Sequence, residues 1–244
     1  MKIIDNVKKK IRQTKFSVIK TVVTKANDER VLSFAADKGD SLVRMHLATN
    51  PNLTKAIIKK LKNDKSVFVR CQVANNKLTT SDILEELAFD PNQKVRKAVA
   101  EREDCKEKTL EKLSNDPNSE VIGNLVNNKS INSKVMTSLS VTTNKYILRC
   151  LTKNEKLPSE VLYDIVCNNP DYGMRFNIAR HPNINSDIVF KLMETYDPDQ
   201  SQVANALLEN PNVSEDEKGM ITITTGMSLE EDDEELSKIE DDET

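Results

Sequence analysis

The feature that most constrains the fold of this chain is an internal repeat with a period of 26 residues. An arginine that follows an apolar residue recurs at this spacing, with one copy missing between the third and the fourth arginine. A period of roughly 20–50 residues is typical of solenoids, in which each unit buries its apolar face against its neighbours. The repeat arginines are Arg44, Arg70, Arg96, Arg149 and Arg175.

A second series, of leucine and isoleucine residues, follows the same frame. Its members are Leu61, Leu87, Leu113, Leu139, Ile165 and Leu192. Ile122 stands 26 residues after Arg96, where the missing arginine is expected, and we place one extra residue before Arg149. Two series with one period predict about seven copies of the repeat.

Within one period the pattern predicts two short helices. Residues 83–88 carry apolar side chains at positions i, i+1, i+4 and i+5, which is a helical stripe. Asp90 and Pro91 then suit an N-cap and a first helical position, so we expect the second helix to begin there. Helices of about ten residues are unstable alone, so their stripes must be buried against adjacent copies.

Composition favours the same fold class. Aromatic residues make up 4% of the 244 residues, there are five glycines and no tryptophan, and 31% of residues are charged. We therefore predict an all-α, right-handed superhelical solenoid of about seven helix-pair repeats. It divides into a basic capping helix over residues 1–24, repeats over residues 25–226, and an acidic disordered tail over residues 227–244.

The string Asp-Pro-Asn-x-x-Val-Arg-x-x-Val-Ala at residues 90–100 resembles the leucine-rich repeat variant and, more broadly, HEAT-like repeats. The resemblance covers roughly residues 25–215. It implies that the repeat arginines, with the aspartates six residues before them such as Asp64 and Asp90, form a structural ladder of hydrogen bonds between repeats. It also implies that the second helices line a concave surface where partners bind.

No group of residues suggests catalysis, and we expect no catalytic residue, cofactor or metal site. The four cysteines, at 71, 105, 150 and 167, form no CxxC pair, and His46 and His181 lie in distant copies. Cys105, in a polar turn, is predicted to be the most exposed thiol. A DNA glycosylase built from HEAT-like repeats is disfavoured because tryptophan is absent. The chain is therefore predicted not to be an enzyme.

The residues two and five positions after each repeat arginine are rich in amides. We predict that they form a ridge on the concave face and that the protein is a scaffold that binds a protein partner there. The alternative is that these amides only cap helices and face water. The predicted partner-binding residues are Gln72, Asn75, Asn124, Asn127, Asn154, Asn177 and Arg180.

An alternative function is sequence-independent binding of nucleic acid or another polyanion by the basic amino-terminal half. Residues 1–116 contain 25 Lys or Arg against 16 Asp or Glu. The amphipathic first segment is interpreted as a capping helix, a polyanion contact or a membrane-surface anchor. The predicted polyanion-binding residues are Lys8, Lys9, Lys10, Arg12, Lys55, Lys59 and Lys60.

The last 18 residues contain ten acidic side chains and one basic side chain. Such a tail either solvates the protein, or folds back over the basic half, or recruits a basic partner. We find neither an apolar run long enough to cross a bilayer nor the apolar core of a signal peptide, and we therefore expect a cytoplasmic protein.

Overall fold

A computed structural model of the chain describes residues 16–168 and 170–227. Within these residues it contains sixteen α-helices, one short 3-10 helix and no strand. The helices follow one another as antiparallel pairs joined by short turns. The predicted all-α, helix-pair repeat is therefore confirmed for this part of the chain.

Seven helix pairs lie between a leading and a closing helix. The first helices of the pairs are α2 (Glu29–Lys38), α4 (Lys55–Leu61), α6 (Ser81–Leu87), α8 (Glu107–Ser114), α10 (Ser133–Ser140), α12 (Ser159–Cys167) and α14 (Ser186–Glu194). The second helices are α3 (Ser41–Ala48), α5 (Val67–Asn75), α7 (Gln93–Ala100), α9 (Ser119–Val126), α11 (Lys145–Leu151), α13 (Tyr172–Ala179) and α15 (Ser201–Leu208). The leading helix α1 is Phe16–Lys25, the closing helix α16 is Glu215–Thr225, and the 3-10 helix is Pro198–Gln200.

The chain forms two compact units, residues 1–135 and residues 136–244, and the boundary falls inside α10. In unit 1 the second helices pack in sequence, α1 on α3, α3 on α5, α5 on α7 and α7 on α9. In unit 2, α11 packs on α13 and α13 packs on α15. Each second helix buries a pair of apolar residues four positions apart, such as Val69 with Val73 and Val95 with Val99.

The second helices begin at side-chain N-caps that follow the repeat period. Asn92, Asn118 and Asn144 each accept a hydrogen bond from the backbone N–H two residues later. The cap of α7 is therefore Asn92 and not Asp90, as the sequence had suggested. Asp90 is buried, and its carboxylate is engaged by Arg70 and by the backbone N–H of Asn92.

The two ends of the chain lie partly outside the described residues. The predicted capping segment includes residues 1–15, which are not described, while α1 carries the buried Val23 against the first repeats. At the other end, Gly226 adopts a left-handed conformation with φ of 70° and donates its N–H to the carbonyl of Thr222, which closes α16. None of the helices in the described residues has the length and apolar character needed to span a membrane.

Candidate partner-binding face

Three of the repeat arginines join consecutive repeats of unit 1. Arg70 donates from Nε and Nη2 to the carboxylate of Asp90, at 2.6 and 2.9 Å, and from Nη1 to the carbonyl of Asp64 at 2.8 Å. Arg96 makes the same contacts with Asp116 and with the carbonyl of Asp90. The carboxylate partner thus lies twenty residues after the arginine, in the next repeat.

The aspartate six residues before each arginine has a different function from the one that the sequence suggested. Asp64 gives Arg70 only its backbone carbonyl, while its carboxylate accepts from Arg44 of the preceding repeat at 2.5 and 3.0 Å. Burial raises the pKa of Asp64, but the hydrogen bonds from Arg44 and from the N–H of Ser66 outweigh it, so the pKa lies below its usual value.

Arg149 does not occupy the position of the other repeat arginines. Each of those arginines lies four residues after the N-cap of its helix, and the residue four after Asn144 is Leu148. Arg149 is one position further on, its side chain is 56% exposed, and it donates to the carboxylate of Asp171. The extra residue of this copy therefore lies after Asn144 and not before Arg149.

Arg175 occupies the repeat position but lacks the carboxylate. It lies four residues after the cap Asp171, and Thr195 stands twenty residues after it, where the other copies carry aspartate. Its guanidinium donates to the hydroxyl and carbonyl oxygens of Thr195 and to the carbonyl of Leu192. Burial lowers the pKa of Arg175 from its usual value.

A second set of links between repeats runs through polar residues at the ends of the second helices. Asn76 donates from Nδ2 to the carbonyls of Ala48 and Asn50, at 2.7 and 3.1 Å, and its Oδ1 accepts from the N–H of Leu78. Asn50, Asn128 and Asn210 make equivalent contacts, with Arg102 and His181 in place of asparagine in two copies. These side chains satisfy the free carbonyls of the preceding helix end.

This asparagine ladder was missed by the sequence analysis, which treated the residues as helix-end punctuation. The available signal was asparagine at positions 50, 76 and 128, each at a multiple of 26 from the others. Asn154 was instead assigned to the partner-binding ridge. Its Oδ1 accepts from the N–H of Lys156, as the Oδ1 of Asn128 does from Ser130, so Asn154 corresponds to Asn128.

The remaining predicted ridge residues lie on the outer side of the second helices, and two of them line a groove. Gln72 and Asn75 face Thr49 of the preceding repeat across a groove of about 350 Å³, which Lys77 and Leu78 also line. The amides of Gln72 and Asn75 form no hydrogen bond within residues 16–168 and 170–227. We call this the amide groove of unit 1.

An equivalent groove in unit 2 has a different charge. It has a volume of about 340 Å³ and is lined by Lys153, Phe176, Asn177 and Arg180, together with Glu155. Asn177 corresponds to Gln72, and Arg180 corresponds to Asn75, by their positions after Arg175 and Arg70. The guanidinium of Arg180 lies 5.6 Å from the centre of the Phe176 ring. We call this the cationic groove.

The other two ridge residues of unit 1 differ from each other. Asn124 donates from Nδ2 to the carboxylate of Glu101 in the preceding repeat at 2.7 Å. Asn127 is exposed and lies one residue before the buried Asn128. In the same region Lys97 pairs with Glu120 at 3.0 Å. This part of the face is therefore occupied by contacts between repeats.

The predicted polyanion-binding residues are only partly described. Lys8, Lys9, Lys10 and Arg12 lie outside the described residues, so the structure says nothing of their arrangement. Lys55 and Lys59 are exposed on α4 and form no ion pair within the described residues. Lys60 pairs with Asp37 of the preceding first helix.

Similar ion pairs neutralise other lysines of unit 1. Lys62 contacts Glu86 of the next repeat, and Lys106 contacts Asp82 and lies 3.9 Å from Glu85. The positive charge of the amino-terminal half is therefore balanced locally on several of its first helices.

The cysteines and histidines do not converge on one site. Cys167 is the exposed thiol, and Cys105 is half-buried with its Sγ 3.5 Å from the carbonyl of Val99. Burial raises the pKa of Cys105 to about 11, which corrects the expectation that this thiol is the most exposed one. Among the residues that the structure describes, no three His, Cys, Asp or Glu side chains are grouped to hold a metal ion.

The sequence was compared with models of known protein families and with curated proteins, and none of them matches. The resemblance to the leucine-rich repeat variant and to HEAT-like repeats therefore stays a prediction.

Proposed function

We propose that this protein is a non-enzymatic scaffold that binds extended segments of a protein partner on its second-helix face. The observation that carries the proposal is the amide groove. Gln72 and Asn75 line it with amides that no other described group engages. An amide side chain offers both a donor and an acceptor, and this combination matches the N–H and C=O groups of a peptide backbone.

The stacking of the repeats supports this use of the face. Arg70 and Asn76 bind neighbouring repeats on either side of the amide groove, and both are held by several hydrogen bonds. The side chains between them are consequently presented from a fixed backbone. A site on rigid elements loses less conformational entropy on binding than one on loops.

The proposal can be tested with peptides selected from a random displayed library against the full chain. Their affinities are then measured by calorimetry for the wild type and for a Gln72→Ala/Asn75→Ala double variant. We expect the double substitution to weaken binding at least about tenfold, which corresponds to about 1.4 kcal/mol. The matched control is Asn63→Ala, which removes an exposed amide at the opposite end of the repeat and should leave affinity unchanged.

Two results would overturn the proposal. One is a set of selected peptides whose affinity ignores the double substitution. The other is preferential binding of DNA or RNA that falls steeply with salt and is lost in a Lys55→Ala/Lys59→Ala variant. This second result would establish the polyanion function in its place.

A further inference from the structure

The cationic groove of unit 2 carries two positive side chains whose charges are not balanced by the protein around them. Lys153 and Arg180 line the groove and form no ion pair within residues 16–168 and 170–227. Glu155 is the one carboxylate on its lining. At the equivalent positions of unit 1 the amide groove has Thr49 and Asn75, which are neutral.

Aromatic rings extend this surface toward the start of the second helices. Tyr172 stacks on Phe176 with ring centres 6.4 Å apart, and its hydroxyl donates to Oε1 of Gln202 on α15 at 2.7 Å. Arg180 lies over Phe176 at the other end of the same helix. The face of α13 thus offers an aromatic strip that leads into two cations, which suits a segment with both apolar and acidic side chains.

Such a segment exists in this chain. Residues 228–244 follow directly on α16 and contain ten acidic side chains, with Leu229, Leu236 and Ile239 between them. Helix α16 packs on α14 and α15 in the position of a first helix, so the chain leaves it where a second helix would begin. Tyr172 and Gln202 lie in the first turns of their second helices, at that same end of the repeats.

The length of the segment is sufficient to reach the groove. From the end of α16 the path crosses two helix spacings of about 10 Å and one helix of eight residues, which is about 12 Å long. Seventeen residues span up to about 56 Å when extended. The segment therefore reaches Lys153 with slack.

We propose that residues 228–244 bind in the cationic groove of unit 2, with their carboxylates on Lys153 and Arg180. The lysines of unit 1 are less suited, because Lys60, Lys62 and Lys106 already pair with carboxylates of adjacent repeats. If the second-helix face binds a partner, the tail competes with that partner in unit 2, and this consequence alone rests on the proposed function.

The test is carbodiimide cross-linking of the full chain at low salt, which condenses a carboxylate with an amine that it contacts and is analysed by mass spectrometry. The expected product joins Lys153 to a carboxylate of residues 230–243. Lys77 is the matched reporter, because it is an exposed lysine on the lining of the amide groove. We expect at least fivefold less of the tail product at Lys77.

Two variants locate the contact. Arg180→Asn places in the cationic groove the residue type found at position 75, and it should lower the Lys153 product at least fivefold. Lys59→Asn removes an exposed cation of unit 1 and should leave the product unchanged. The product should also decline at 0.5 M salt, where the Debye length is only about 4 Å.

Three outcomes would overturn the proposal. The first is a tail product at Lys77, Lys55 or Lys59 that is as abundant as the one at Lys153. The second is an Arg180→Asn variant with an unchanged product. The third comes from a mixture of ¹⁵N-labelled and unlabelled chains, in which products that join the two isotopes would place the tail on a second copy. None of these measurements involves a partner, so they stand apart from the test of the scaffold function.

Discussion

Arg96 donates two hydrogen bonds, of 2.6 and 2.9 Å, to the carboxylate of Asp116, which lies twenty residues later in the next repeat. The two side chains are 13% and 4% exposed. The hydrogen bonds raise the pKa of Arg96, so the guanidinium stays charged across the accessible pH range. This contact and its counterparts at Arg44 and Arg70 connect the repeats through charge that is largely removed from water.

Removing the Arg96 guanidinium should therefore destabilise unit 1 strongly. We expect Arg96→Ala to lower the free energy of unfolding by about 3 kcal/mol, because Asp116 would be left buried without its cation. Denaturant unfolding measures the change. Arg149→Ala is the matched control: its side chain is half-exposed, so the loss should stay below about 1 kcal/mol. Equal losses for the two variants would contradict the assignment of Arg149 outside the ladder.

The asparagine ladder predicts opposite outcomes for two adjacent residues. Asn128→Ala should cost about 2 kcal/mol, because it leaves the carbonyls of Ala100 and Arg102 without their donor in a buried site. Asn127→Ala, at the exposed position just before it, should change stability by less than about 0.5 kcal/mol. Thermal melting of the two variants under one condition checks this, and a neutral Asn128→Ala would be evidence against the ladder.

His181 should make the stability depend on pH between about 7 and 5. Its Nε2–H donates to the carbonyl of Asn154 at 2.9 Å and its Nδ1 accepts from the N–H of Asn183, so the buried ring is neutral. Burial lowers its pKa below the usual value of 6.5, although the Asn154 carbonyl and Glu155 act in the other direction. The unfolded state then binds more protons in this range, and stability is lost as the pH falls below 6.5.

The check is urea unfolding at several pH values, with His181→Asn as the control. Asparagine occupies the equivalent ladder position in Asn128 and Asn210, so this variant should fold and lose the pH-dependent part between 7 and 5. A wild-type slope retained in His181→Asn would assign the effect to other groups.

Restoring the carboxylate that Arg175 lacks should stabilise unit 2. Thr195→Asp places an acid twenty residues after Arg175, as Asp116 is placed after Arg96, and we expect a gain of about 1 kcal/mol from charge-assisted hydrogen bonds. Thr195→Asn is the uncharged counterpart and should give no gain. The melting temperatures of the two variants distinguish charge pairing from a change of shape, and equal shifts would argue against pairing.

The segment between Asp116 and Arg149 should open before the rest of the chain. Ile122 and Leu148 stand where other copies carry arginine, Gly123 is buried inside α9, and α10 is rich in serine and threonine. Amide hydrogen exchange followed by mass spectrometry should show α10 exchanging faster than α6. If this segment is the most protected in the chain, the expectation is wrong.

The sequence by itself determined the helix pairs and their period. Apolar residues at helical spacing and N-caps such as Asn92 and Asn118 act within a few residues of the chain, so their pattern is visible without any knowledge of packing. The number of copies followed from counting, since each copy repeats the same local signals.

Only the tertiary structure decided which side chains meet across repeats. Asp64 is six residues from Arg70 but bonds through its carboxylate to Arg44, because stacking brings the turn of one repeat against the helix of the copy before it. The single extra residue after Asn144 likewise moved Arg149 out of register, and the spacing between arginines did not reveal this shift. The two grooves depend on neighbouring second helices, and their charges differ because Lys153 and Arg180 come from separate copies that packing brings to one lining.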